Sequence, residues 1–120
     1  MPTISKDNKV ATLINVFTVE PGNQQKVVDM LVETTEKAMK HIPGFVSASI
    51  HKSLDGVRVV NYAQWQSKEH FEAMRNSPEA QKHMKPFFEI AKVDFHLYEV
   101  ADAIEVRDDA EGRQAWMSAL

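Results

Sequence analysis

The sequence predicts a single α+β domain of ferredoxin-like βαββαβ order, an antiparallel sheet with helices on one face that buries the other face by forming a dimer. Three observations carry this. Runs rich in β-branched and aromatic residues alternate with regions of helical periodicity. Their order is that of the split βαβ motif. The first predicted strand is apolar on both parities, so the sheet face turned away from the helices needs a cover of its own.

The first strand is predicted over residues 10–19, Val-Ala-Thr-Leu-Ile-Asn-Val-Phe-Thr-Val, and it stops at the turn residues Glu20-Pro21-Gly22-Asn23. Asn23 is placed to cap a helix whose face carries Val27, Leu31, Thr34, Ala38 and Ile42, and Pro43-Gly44 halts it. Residues 45–53 and 57–65 read as two strands reversing at Leu54-Asp55-Gly56, since Asp-Gly favours a tight hairpin. Ser67 caps a helix over 68–76, and Ser77-Pro78 restarts a short one expected to end near Pro86. A fourth strand over 93–100 alternates Val93, Phe95 and Leu97 with Asp94, His96 and Tyr98. Residues 1–9 read as a flexible N-terminus, 10–100 as the domain, and 101–120 as a C-terminal extension. That extension carries Ile104, Val106 and Trp116 among charges and is suited to packing on a partner subunit.

Strict alternation places Val46, Ala48, Ile50, Val60 and Tyr62 on the sheet face without helices, where a second copy packs sheet to sheet in an isologous homodimer. Composition narrows the function. At 120 residues, 43% apolar and 26% charged, the chain is an ordinary folded domain. A net charge of −3 with scattered Lys and Arg leaves no electrostatic footprint for nucleic acid. Absence of cysteine removes disulfides, thiolate ligands and thiol nucleophiles. No apolar run reaches membrane-spanning length, so no membrane partner and a cytoplasmic location are expected.

Candidate chemistry gathers on the third strand. Asn61 and Trp65 share parity with Val57, Val59 and Ala63 and point toward the helices. By the same alternation His51 joins Phe45 and Ser47, and Asn15 joins Leu13 and Phe17, so all four polar groups are expected to line one cavity. Ser47, Ser49 and Ala63 leave room for it. Buried Asn is costly unless satisfied, which favours a functional use over a purely structural one. The five histidines, His41, His51, His70, His83 and His96, show no metal-ligand spacing, so no metal is expected. Phe71, Met74 and Met84 read most simply as a helix face packed on the sheet.

Pro43-Gly44-Phe45, Ser49, His51, Asp55-Gly56 and the run Val59-Val60-Asn61-Tyr62-Ala63-Gln64-Trp65 with Ser67 resemble the antibiotic biosynthesis monooxygenase (ABM) family over roughly residues 10–100. The Asn-Tyr-x-x-Trp segment is similar to cofactor-independent members that oxidise phenols to quinones in aromatic polyketide pathways. The resemblance implies a homodimeric α+β barrel acting on a small aromatic substrate and dioxygen, with no cofactor. It implies Asn61 and Trp65 as groups that bind the substrate's oxygen atoms and gives His51 a matching position on the neighbouring strand, where the near-neutral intrinsic pKa of histidine suits it to accept a proton. Phe71 stands where those enzymes carry a tyrosine, and their arginine falls at Met84 or His83. A haem-degrading branch would use Asn15, but Met74 stands where its tryptophan belongs, and its ligand histidine aligns with Met84 beside His83. Haem is therefore the alternative cofactor, and a non-catalytic binding protein for small aromatics the alternative function.

Overall fold

The computed structural model describes residues 3–7 and 9–106. Four strands, β1 (Ala11–Val19), β2 (Phe45–Lys52), β3 (Arg58–Trp65) and β4 (Ala91–Tyr98), form one antiparallel sheet in the order β2-β3-β1-β4. Helices α1 (Gln24–Lys37), α2 (Lys68–Arg75) and α3 (Pro78–Ile90) pack on one of its faces. The predicted βαββαβ order therefore holds, with the second helical region split in two at Asn76-Ser77.

Local chemistry fixes the boundaries. Ser67 Oγ accepts the His70 N–H at 3.1 Å and Ser77 Oγ accepts that of Ala80, so both serines cap as expected. Asn23 does not: it ends a 3-10 turn, Pro21–Asn23, in a near-helical conformation, and its side chain makes no capping hydrogen bond. Gln24 anchors this end instead, donating to the carbonyls of Ser53 and Arg58 at 2.8 and 3.0 Å. At the other end α1 gives way to a 3-10 turn, Met39–His41, that buries Met39. The hairpin turns on Gly56 at φ +83°, and Asp55 accepts from Ser53 Oγ and from the Val57 N–H.

Two further expectations fail for identifiable reasons. Helix α3 does not stop near Pro86 but continues to Ile90. The proline sacrifices an i→i−4 bond at about 3 kcal/mol. Phe87, beyond it, is 1% exposed and meets Phe17 ring to ring at 5.6 Å, and burying it with Ile90 recovers a similar amount. With α3 running on, β4 starts at Ala91, opposite Val19, two residues before its expected start.

The second failure concerns the face of β2. Phe45 pairs with Trp65, but Ser47 pairs with Gln64, so Val46 is the extra residue of a β-bulge and the alternation reverses after it. Ala48 and Ile50, opposite Ala63 and Asn61, face the helices; Ser47, Ser49 and His51 face the other way. The physical reason is the choice of what to bury. The bulge puts Ile50 against the core instead of a histidine and two serines that would have lost water without gaining partners.

The helix-covered face divides into two apolar clusters. One gathers Phe17, Val19, Val27, Leu31, Val59 and Phe87; the other gathers Leu13, Ala63, Trp65 and Phe71. The opposite face carries Ile14, Val16, Val60 and Tyr62, all partly buried. The N-terminal segment covers one corner of it: Gln64, 1% exposed, donates to the Thr3 carbonyl at 2.7 Å and accepts from Ser47 Oγ at 2.8 Å. Residues 101–106 run on without regular structure, with Ile104 and Val106 exposed. Trp116 lies outside the described residues.

Candidate active site

Between the sheet and the helices lies a cavity of about 460 Å³, within the size range of small-molecule sites. Its floor is the helix-facing row of β1, β3 and β4. Asn15 and Asn61 are direct cross-strand partners there, and Phe95 continues the row on the far side of Asn15. Small residues open the space: Ala48 lies opposite Ala63, so neither side fills the volume between β2 and β3. The walls come from α1, α2 and α3 through residues such as Thr34, Phe71, Met74 and Met84.

Aromatic rings fix the shape of one wall. Trp65 is flanked edge-on by Phe45 at 5.4 Å and by Phe71 at 6.3 Å, and Phe71 in turn meets Phe95 at 6.5 Å. Held this way, Trp65 is 2% exposed, yet its Nε1–H has no hydrogen-bond partner. The Asn61 Oδ1 is likewise buried without a partner. Two unmet polar atoms on one strand face, with Ala63 between them in a largely apolar cavity, are each costly by about 1–3 kcal/mol. A ligand bearing oxygen and hydroxyl groups would satisfy both, and a half-turn of the Asn61 amide lets it donate or accept as required.

Of the residues singled out from the sequence, Asn15, Asn61, Trp65, Phe71, Met74 and Met84 line the cavity. His51 does not. The Val46 bulge turns it onto the opposite face, where it is exposed beside Val60, and it can touch nothing bound among the helices. His83 is also outside, in an exposed dent on α3 with Pro78, Glu79 and Lys82. Sequence reasoning missed Arg75, Gln81, Lys85 and Phe88, which line the mouth from α2 and α3. No motif marks them, and only the relative rotation of the two helices brings them together.

Among the described residues, none that lines the cavity is Asp, Glu, His or Tyr. Among the described residues no group of three His, Asp or Glu side chains is arranged to hold a metal ion. His70 is held elsewhere: its Nδ1 lies 2.6 Å from Ser67 Oγ, and its ring packs on the backbone of Gly44. No helix is long and apolar enough to cross a membrane among the described residues.

The model of the antibiotic biosynthesis monooxygenase family matches residues 11–86, from β1 into α3. Tetracenomycin-F1 monooxygenase of Streptomyces glaucescens is 51% identical over 83 residues, 69% of this chain and 74% of that protein. A Streptomyces coelicolor monooxygenase, solved with the ligand nanaomycin D, superposes with a TM-score of 0.74 at 25% identity, covering 82% of this chain and 93% of that one. An anthrone oxidase-like protein gives a TM-score of 0.75 at 27% identity, covering 82% of this chain but 42% of its own.

Proposed function

We propose, on the premise that this chain belongs to the antibiotic biosynthesis monooxygenase family, that it oxidises a flat phenolic, anthrone or hydroquinone-type aromatic to a quinone with dioxygen and no bound cofactor. The observation that carries the reading is the pair of buried, unpartnered polar atoms, Trp65 Nε1 and Asn61 Oδ1, in an apolar cavity wide enough for fused rings. The likeness to tetracenomycin-F1 monooxygenase and to an anthrone oxidase-like protein supports the substrate class.

For an anthrone the balance is simple: the ring CH₂ and O₂ become C=O and water, with all four electrons drawn from the substrate. The electron source is the deprotonated aromatic, so the chain need only hold the ring system and favour its anion. Trp65 donates its indole N–H, and Asn61 its amide, to the oxygen on which negative charge develops, and one such preorganised donor contributes about 3 kcal/mol. Asn15, opposite Asn61, offers a second amide to the same edge. Because no carboxylate or imidazole among the described residues lines the cavity, the proton leaves to water at the mouth, and the donors act by lowering the pKa of the substrate itself.

Haem fits these residues poorly. An axial ligand would have to come from histidine, cysteine, tyrosine or methionine. Among the described residues none of the first three lines the cavity, Met39 is buried, and Met74 and Met84 pack against the protein's own apolar clusters. A second reading, a carrier of small aromatics without turnover, is favoured by the same lack of an acid-base residue and by Phe71, which offers no hydroxyl.

The dimer belongs to this proposal as well. Ile14, Val16, Val60 and Tyr62 form an apolar stripe on the face opposite the helices, and Ile104 and Val106 add exposed apolar surface beyond β4. Sedimentation is expected to give a homodimer. The activity test is oxygen uptake by metal-stripped protein with anthrones and hydroquinones. Uptake lost in Asn61→Ala supports the reading. Ligand binding without any uptake by the wild type would replace it with the carrier.

A further inference from the structure

Among the described residues, the ionised side chains that line the cavity are both cations, Arg75 at the C-terminal end of α2 and Lys85 on α3, although the chain as a whole is acidic at −3. Neither forms an ion pair among the described residues, where the bridges of the helices join Lys37 to Glu33, Lys40 to Glu36 and Lys68 to Glu72. The Arg75 guanidinium is held instead over the Phe95 ring, 5.2 Å from its centroid. Gln81 donates to the Arg75 carbonyl at 3.2 Å and ties the end of α2 to α3. Arg75 is thus positioned from the backbone and the ring, while its hydrogen-bonding edge is left without a protein partner.

The sheet register sets its distance from the polar end of the cavity. Phe95 is the partner of Asn15, and Asn15 of Asn61, so Arg75 stands over a strand two spacings from Asn61. Two spacings are about 10 Å. A fused-ring skeleton with its reacting oxygen at Asn61 and Trp65 would bring its far edge beneath the guanidinium.

We propose that the substrate carries a carboxylate on the edge remote from its reacting ring, and that Arg75 receives it, with Lys85 adding to the attraction. Arg75 and Lys85 are then specificity-determining residues. A carboxylate matches better than a phenol hydroxyl, because it is ionised at neutral pH and pairs with the forked guanidinium through two parallel hydrogen bonds. The proposal rests on the aromatic-pocket reading above but not on turnover.

The test uses anthraquinone-2-carboxylate and its uncharged carboxamide as non-oxidisable probes, with binding followed by quenching of tryptophan fluorescence. The wild type is expected to favour the carboxylate by about tenfold, the scale of one charge-assisted contact at a partly exposed site. Added salt should reduce that preference. Arg75→Met should remove most of it without weakening the carboxamide, Arg75→Lys should restore part of it, and Lys82→Met, outside the cavity, should leave it intact. Equal binding of the two probes by the wild type, or an equal loss of both in Arg75→Met, overturns the proposal. Oxygen uptake with an uncharged anthrone is read separately: its absence defeats the oxygenase reading and leaves a carboxylate preference standing.

Discussion

Exchanging Trp65 for Phe removes one hydrogen-bond donor from the cavity while keeping an aromatic ring in its place. The ring contacts with Phe45 and Phe71 at 5.4 and 6.3 Å are each worth about 0.5–1.5 kcal/mol, and a phenyl group can retain most of both. The smaller side chain leaves a void that costs about 1–2 kcal/mol. Against this, the substitution deletes a buried N–H that has no partner, whose lost hydration costs the native fold about 1–3 kcal/mol. The two terms offset, so stability should change by about 1 kcal/mol or less in either direction. Turnover should behave differently. A donor aimed at developing negative charge contributes about 3 kcal/mol, a factor of about 10²–10³ in kcat. Oxygen uptake at saturating anthrone, read beside urea unfolding of the same preparation, separates the two quantities. Wild-type turnover in a folded Trp65→Phe protein would refute the donor role. A loss of turnover matched by several kcal/mol of lost stability would show that the indole is core and nothing more.

Other substitutions test the architecture. His51→Ala should leave oxygen uptake unchanged, since the ring lies on the far face of the sheet; a large loss would place the imidazole back in the cavity. Ile50→Ala should destabilise by about 2 kcal/mol whereas Ser49→Ala costs less than about 0.5 kcal/mol, and chemical denaturation would expose a reversed order and thus a wrong register. Gly44→Ala should destabilise by more than about 2 kcal/mol, because φ there is +90° and a Cβ would collide with the His70 ring; thermal melting checks it. The Asp55 carboxyl is held below its ordinary value by the Ser53 hydroxyl and the Val57 N–H. A lowered folded pKa stabilises above the unfolded value, and that stabilisation fades as pH falls through the folded one. The Tm gap between wild type and Asp55→Asn should therefore be present at neutral pH and close in acid below the usual aspartate range. A gap that persists there removes ionisation as its cause.

What could be read from the sequence is what short-range chemistry dictates. The β-branched runs, the Pro and Gly punctuation and the Ser67 and Ser77 caps place the elements, because each acts within a few residues. Asn15, Asn61 and Trp65 fall on one face because β1 and β3 are regular, so alternation survives from one end to the other. It fails in β2, where a single extra residue at Val46, marked by no glycine, sends His51 to the other side. Pro86 misleads in the same way, since its local penalty is visible and the burial of Phe87 that overrides it is not. Arg75 and Lys85 could not be placed at all. Their meeting at the cavity depends on how α2 and α3 are rotated against the sheet, and no local signal records that.

The polar groups proposed to act on the reacting ring sit on the two central strands, where each is pinned by cross-strand pairing on both sides. Substitutions there disturb the core and are expensive. The mouth is formed by Arg75, Gln81, Lys85 and Phe88, all exposed on helices that contribute only their opposite faces to the core. Exchanging such residues changes stability by about 0.5 kcal/mol or less. One sheet can therefore keep a fixed pair of donors while the helices vary in what they ask of the rest of the substrate. The aromatic that this chain accepts should accordingly be sought through α2 and α3, by changing the charge at the mouth and reading which ring substituent follows it.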